Sequence, residues 1–102
     1  MELFLQTKTG VKATGDYDPI SKTLTVKKGS NVSLDVHTTG KFRSANSVKK
    51  YRELYCDGTV TKEDVVFKSA STAANFVTGC STNGLVAWKN KAGETLKSLI
   101  AD

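Results

Sequence analysis

The chain has 102 residues, which is enough for one domain with one hydrophobic core and too short for two. Hydrophobic residues make up 38% of the chain, charged residues make up 25%, and the formal net charge is +5. This balance excludes a disordered chain, whose composition would be more polar and more highly charged. We therefore predict a single folded domain over residues 1–102.

The N-terminal segment does not have the pattern of a secretory signal. Glu2 stands where a signal peptide carries Lys or Arg, and the apolar run that follows ends after three residues, Leu3 to Leu5. No stretch approaches the roughly 20 apolar residues that a membrane-spanning helix needs, and neither end carries a lipidation motif. We predict a cytoplasmic protein without a membrane partner.

The first third of the chain alternates between apolar and polar residues, which is typical of strands with one buried face. A proline preceded by aspartates predicts a turn at 16–19, and Lys28-Gly29-Ser30 predicts a second tight connection. The predicted strands are 3–7, 11–17, 20–27 and 32–36, and residues 38–43 are predicted to be a loop.

Residues 44–56 are predicted to form a helix, with Ser44 or Ser47 as its N-cap and Asp57-Gly58 at its end. At about 100° per residue, the apolar side chains share one arc, and the basic ones occupy the other side. The predicted buried arc contains Val48, Tyr51, Leu54 and Tyr55. The two tyrosines are interpreted as core residues, with stacking on nucleic-acid bases as the alternative.

The second half of the chain is predicted to mix short strands with two more helices. The predicted strands are 59–60, 65–67 and 85–88, the turns are 83–84 and 90–93, and the helices are 69–79 and a terminal one containing Leu96, Leu99 and Ile100. Ser69 is the expected N-cap of the first of these helices, and Gly79 its expected end. Together these elements predict an α+β fold, in which a small, mostly antiparallel sheet is packed by two or three short helices.

The cysteine and histidine content argues against a metal centre. Cys56 and Cys80 are 24 positions apart, and His37 is the single histidine. A zinc site needs four ligands, and these residue types supply too few within one chain. We predict no metal, and two reduced, partly buried thiols, with a disulfide left open if the fold brings the sulfurs together.

The chain is predicted to have no catalytic activity. Nothing around His37 matches a known arrangement of a nucleophile and its base. The carboxylate pairs Asp16/Asp18 and Glu63/Asp64 lie in polar, turn-like segments, where their pKa values should stay low. Neither a Walker A sequence nor a GxGxxG sequence occurs, so no cofactor is expected.

One local run of positive charge stands out. Between residues 36 and 52 there are five basic residues and no acidic ones, namely Lys41, Arg43, Lys49, Lys50 and Arg52. Such a run can bind a phosphate backbone through the release of condensed counterions. The alternative is a solvated basic face without a ligand.

Several motifs in a fixed order resemble a known family. They are Ala13-x-Gly15, Leu24–Ser30, Tyr51–Leu54, Asp57-Gly58, Phe67-x-Ser69-x-Ser71-x-Ala73-Ala74, Gly79, Asn83-Gly84, Trp88-Lys89, Gly93 and Leu96. The order resembles an uncharacterised domain of unknown function that is often found C-terminal to GIY-YIG nuclease domains and in restriction–modification proteins. The C-terminal part is also similar to the restriction-enzyme adenine methylase associated domain, which is proposed to recognise DNA.

The chain departs from the pattern of that family at two positions. Leu85 stands where members usually have Trp directly after the Asn-Gly pair, and Ala70 stands where Pro is common. If the usual Trp contacts a ligand, this chain lacks the contact, whereas Leu is a mild change if the Trp packs in the core. The change at Ala70 costs only some pre-organisation at the first helical position.

The resemblance implies an accessory module that binds DNA weakly and works beside a nuclease or a methylase. It adds Lys89 to the five basic candidates, and it makes Ser71, Asn83 and Trp88 candidates for finer recognition. Structural interpretations stand beside these: Trp88 as a core anchor, and Asn83-Gly84 as a turn with positive φ. The alternative function is a protein-interaction or structural module without nucleic-acid binding.

Overall fold

The computed structural model describes residues 1–33 and 45–100. Several sequence predictions fall outside the described residues. These are the strand 32–36 beyond residue 33, the loop 38–43, the N-cap Ser44, and the candidate residues His37, Lys41 and Arg43.

A four-stranded antiparallel sheet forms the centre of the fold. Its strands are β1 (Glu2–Gln6), β2 (Lys12–Asp18), β3 (Thr23–Val26) and β6 (Val65–Phe67), in the spatial order β1-β2-β3-β6. The turn predicted at 16–19 begins later, because β2 continues through Asp18. The side chain of Asp18 then accepts a hydrogen bond from the backbone N–H of Ile20 (2.9 Å), which starts a turn at residues 19–22 instead of 16–19.

Four helices and a small hairpin complete the architecture of the described residues. They are α1 (Ala45–Tyr55), β4 (Cys56–Asp57), β5 (Val60–Thr61), α2 (Ala70–Thr78), α3 (Gly84–Ala87) and α4 (Leu96–Ile100). The segment Asp57-Gly58 both follows α1 and enters the turn of the β4–β5 hairpin. The predicted α+β class is confirmed.

Helix α2 has the two ends that its sequence predicts. The Ser69 hydroxyl accepts a hydrogen bond from the Thr72 N–H (3.1 Å), and Gly79 adopts φ 73° while its N–H donates to the Asn75 carbonyl. Ala73 and Ala74 are completely buried, so their small side chains let the helix lie close to the sheet. This helix covers the apolar face of the sheet.

The strand predicted at 85–88 is wrong, because residues 84–87 form α3. Asn83 caps this helix by accepting a hydrogen bond from the Leu85 N–H (3.1 Å). Gly84 does not have positive φ. It is needed because α3 lies directly on the start of α2, where a Cβ on Gly84 would be 2.2 Å from the Ala70 carbonyl carbon. A tertiary contact therefore overrides the strand-like composition of this segment.

The core lies on one face of the sheet, and α1 lies beside it rather than over it. Val48 is buried as predicted, but Tyr51 is 36% exposed and Leu54 is 55% exposed, so the predicted buried arc of α1 is partly wrong. The helix packs against α2 and β4, and the Tyr51 ring reaches Phe67 at the β6 edge (centroids 5.2 Å apart). A helix at the rim of a sheet buries a narrower stripe than one that covers the sheet.

Two further properties of the described residues bear on the sequence predictions. Cys56 and Cys80 are free, half-buried thiols. Among residues 1–33 and 45–100, no helix is long and apolar enough to cross a membrane.

Candidate nucleic-acid interface

The face of the sheet that points away from the core carries an aromatic side chain. Along β1, Leu3 and Leu5 are buried in the core, so Phe4 between them points to the opposite face. Its partner across β2 is Thr14, which is also only half-buried. Phe4 is therefore an aromatic residue on a mostly polar face, on which Val66 of β6 is a second, exposed apolar residue.

Lys89 lies directly beside Phe4 on this open face. The Phe4 N–H donates to the Lys89 carbonyl (2.6 Å), and the Lys89 N–H donates to the Phe4 carbonyl (2.9 Å). Residues paired in this way across antiparallel strands place their side chains on the same face, about 5 Å apart at Cβ. The alternation also explains why the preceding residue, Trp88, points into the core.

Two cavities adjoin Phe4, and lysines line both. The first has a volume of about 700 Å³ and includes Lys8, Lys89 and Lys91 in its lining, and the second, of about 350 Å³, includes Lys12. In the described part of the chain, no acidic residue lines either cavity. We call Phe4, Lys8, Lys12, Lys89 and Lys91 the open-face groove.

The groove lysines carry charge that is not neutralised by close carboxylates. Within residues 1–33 and 45–100, the ion pairs join Lys27 to Asp64 (3.1 Å) and the Met1 amino group to Asp16 (2.9 Å). The neighbouring acid Glu94 accepts a hydrogen bond from the Asn90 side chain (3.1 Å) and lies outside both linings.

The same face of the sheet becomes acidic towards its other end. Glu2 and Asp16 are cross-strand partners, one residue pair beyond Phe4 and Thr14 on that face. Gln6 and Lys12 are partners on the side of Phe4 that leads into the groove. Because Asp16 is paired with the Met1 amino group, Glu2 supplies the net negative charge of that end, and an anion would be held at the Lys12 end.

The basic residues of α1 lie away from this groove. Lys49 and Lys50 are exposed on α1, which contacts the sheet near β6, whereas Lys89 extends the sheet beyond β1. Because β1 and β6 are opposite edges of four strands about 4.8 Å apart, these sites are separated by roughly 14 Å or more. The structure does not bring Lys89 together with the α1 lysines.

Arg52 has structural partners that occupy its guanidinium group. It donates to the carbonyl of Phe76 (2.8 and 3.1 Å) and of Val77 (3.3 Å), and to the carbonyl (2.7 Å) and hydroxyl (2.9 Å) of Ser33. These carbonyls include the last turn of α2, where a cation complements the helix dipole. Burial lowers the pKa of the Arg52 guanidinium and raises that of the Cys56 thiol. Arg52 thus joins α1 to α2, which differs from the predicted contact with phosphate.

The three predicted recognition residues also have internal partners. The Ser71 hydroxyl accepts a hydrogen bond from the Gly84 N–H (3.0 Å), and Asn83 caps α3. Trp88 is completely buried, and its indole N–H donates to the Ala70 carbonyl (3.0 Å). Ser71 and Trp88 therefore hold the α3 segment against α2, and Asn83 begins α3.

The carboxylates that the sequence placed in turns do stabilise local structure. Backbone hydrogen bonds, first of all from Ile20, lower the pKa of Asp18 below its ordinary value. Hydrogen bonds from the Lys28 N–H and the Lys27 ammonium group lower the pKa of Asp64 in the same way. For Asp18 and Asp64, the direction of the pKa shift agrees with the prediction that these carboxyls stay ionised at neutral pH.

Sequence reasoning identified Lys89 but missed the rest of the groove. A signal for Phe4 was present, because the pattern Leu3-Phe4-Leu5 places one of three large apolar side chains on the solvent face of a two-sided strand. Lys8 and Lys91 give no such signal, since they come together only through the pairing of β1 with the segment at Lys89.

The family of the chain follows from a match to a family sequence model. No curated protein and no solved structure matches the chain significantly. The sequence model of one family matches residues 3–100, which is nearly the whole chain. The chain therefore belongs to the family described as "Domain of unknown function (DUF4357)".

Proposed function

We propose that this chain is a non-catalytic accessory module that binds DNA weakly through lysine side chains on the open face of its sheet. The observation that carries the proposal is the gathering of Lys8, Lys12, Lys89 and Lys91 around two cavities that lack acidic lining residues in the described part of the chain. Lysines arranged in this way bind phosphates by releasing condensed counterions, without reading sequence.

The resemblance of the motif order supports a biological setting for this activity. In that setting the module works in the cytoplasm, beside a nuclease or methylase of a restriction–modification system, and its partner does the chemistry. The low pKa values of Asp18 and Asp64 agree with structural rather than acid–base duty for these carboxyls.

The direct test is a titration of a fluorescent DNA duplex with the protein at several salt concentrations. If four lysines each neutralise one phosphate, the slope of log affinity against log salt is about −3.6. Affinity should then fall roughly 100-fold between 50 and 200 mM salt. The absence of binding at low salt, or binding without a salt dependence, would refute the proposal.

Charge-removing variants locate the surface. The triple variant of Lys8→Gln, Lys89→Gln and Lys91→Gln should reduce the magnitude of the slope by about 2.7. A matched control with the same loss of charge changes three exposed lysines that do not line the groove, namely Lys62, Lys68 and Lys97. An equal effect of the two triple variants would show that only net charge matters.

The basic candidates outside the groove belong in the same experiment. Lys49 and Lys50 remain candidates for phosphate contact because both are exposed, and Lys41 and Arg43 lie outside the described residues. The double variant of Lys49→Gln and Lys50→Gln measures how much of the DNA affinity comes from α1. A larger loss of affinity in this variant than in the groove variant would move the interface to α1.

A second candidate function, protein interaction, is favoured by exposed apolar side chains. Leu85 (37%), Val86 (49%) and Ile100 (39%) of the contacting helices α3 and α4 are partly exposed. Lack of DNA binding at low salt, together with self-association that Val86→Ser abolishes in sedimentation experiments, would favour this function over DNA binding.

A further inference from the structure

We infer that the open-face groove selects single-stranded over duplex DNA by stacking an unpaired base on the ring of Phe4. This inference rests on the proposed function and adds the form of DNA that the groove recognises. Base–aromatic stacking between flanking cations is a general way to bind single strands without sequence preference.

The position of Phe4 suits such a platform. It is half-buried, it lies between Lys89 on one side and the short side chain of Thr14 on the other, and it lines both cavities. Its backbone is fixed by the pair of hydrogen bonds to Lys89. The larger cavity, of about 700 Å³, falls within the volume range of small-ligand sites and can hold a nucleotide.

The charges around Phe4 favour one path for the phosphates of a bound DNA strand. Lys12 is the diagonal neighbour of Phe4, and Lys8, Lys89 and Lys91 line the adjoining cavity. On the opposite side of the ring lie the acid Glu2 and Asp16, which is paired with the Met1 amino group. A base on the ring therefore has its phosphates drawn towards the lysines and kept from the acidic end.

Duplex DNA cannot use this platform. The faces of paired bases are covered by their neighbours in the stack, so an aromatic ring on a sheet reaches a base face only where the base is unpaired. The lysines alone can still contact duplex phosphates, which is why duplex binding should be weaker and not absent.

Tyr51, an exposed aromatic residue among those that the structure describes, is a poorer platform. The Tyr51 ring stacks on Tyr55 (centroids 6.0 Å, 25° between planes) and contacts Phe67 (5.2 Å). Among the aromatic contacts of the described residues, none involves Phe4. Tyr51→Leu therefore serves as a matched control for the removal of a ring.

The test compares three probes with three variants at low salt. The probes are a fluorescent 16-nucleotide thymidine strand, the duplex of that strand with its complement, and heparin, which is a polyanion without bases. The variants are Phe4→Leu, which removes the ring and keeps an apolar side chain, Phe4→Trp, which keeps a ring, and Tyr51→Leu. Circular dichroism confirms that each variant is folded at the temperature used.

We expect wild type to bind the single strand at least fivefold more tightly than the duplex. Phe4→Leu should lower single-strand affinity about tenfold and change duplex and heparin binding less than twofold, while Phe4→Trp and Tyr51→Leu stay near wild type. The stacking inference would be overturned if Phe4→Leu lost affinity equally for all three probes, or if wild type did not prefer the single strand. Either result would leave charge-based DNA binding standing. Failure of wild type to bind any of the three probes would overturn both.

Discussion

Replacement of Arg52 by Met tests whether this side chain is structural. Phe76 and Val77 are completely buried. Among the described residues, Arg52 donates the side-chain hydrogen bonds to the Phe76 carbonyl. The Val77 carbonyl accepts a second hydrogen bond, from the Ser33 N–H (2.8 Å). The Arg52→Met variant thus loses several charge-assisted hydrogen bonds, and the buried Phe76 carbonyl loses its hydrogen bonds from the guanidinium group. An orphaned buried acceptor costs about 1–3 kcal/mol. Because the guanidinium is half-exposed, we expect a total loss of about 2–4 kcal/mol.

That loss corresponds to a fall in Tm of about 10–20 °C for a domain of this size. Urea unfolding followed by circular dichroism measures it, and Arg52→Lys should also be destabilised because an ammonium group cannot reproduce the fork of donors. At a temperature where both variants are folded, their affinity for duplex DNA should stay within about threefold of wild type. A variant with wild-type stability and a large loss of DNA affinity would refute the structural role and restore Arg52 as a phosphate ligand.

Three further changes test the packing and the local charges. Gly84→Ala should destabilise the protein by about 3 kcal/mol or more in urea unfolding, because the Cβ of the new alanine would collide with the Ala70 backbone. A variant as stable as wild type would contradict the contact between α2 and α3. Trp88→Phe should lower the free energy of unfolding by about 2–4 kcal/mol, since the variant loses ring volume and the hydrogen bond to the Ala70 carbonyl. A decrease below about 0.5 kcal/mol would argue against the place of Trp88 in the core. The carboxyl of Asp64 has a lowered pKa, so its stabilisation is present above its ordinary value of 3.8 and is lost as the pH falls through the lowered value. Asp64→Asn should therefore lower the urea midpoint near pH 7 and differ little from wild type near pH 2, and an equal difference at both would contradict this.

The sequence predicted those elements whose signals are local. The alternation in the first third predicted β1 to β3, and Ser69 and Gly79 predicted both ends of α2, because a cap depends only on residues within one turn. The α+β class followed from these elements.

The prediction failed where a distant contact decides the structure. The composition of Leu85 to Trp88 favours a strand, but the close approach of Gly84 to Ala70 places this segment in a helix that packs on α2. The same limit applies to Arg52, whose carbonyl partners at Phe76 and Val77 are about 24 positions away in the sequence.

The candidate site illustrates the same difference. Lys89 was identified from its neighbourhood in the sequence, but its pairing with Phe4, 85 positions away, could not be predicted without the sheet register. The basic run was visible as a pattern, yet charge in a sequence does not show which side chains a fold uses internally.

The central claim is that the open-face groove binds DNA, and its most direct test is an NMR titration. Amide signals of the isotopically labelled chain are followed while the 16-nucleotide thymidine strand is added at low salt. We predict that the largest shift changes cluster at Phe4, Lys8, Lys12, Lys89 and Lys91, and that they diminish as salt is added. Shift changes confined to α1 or to α3, or no changes at all, would contradict the account.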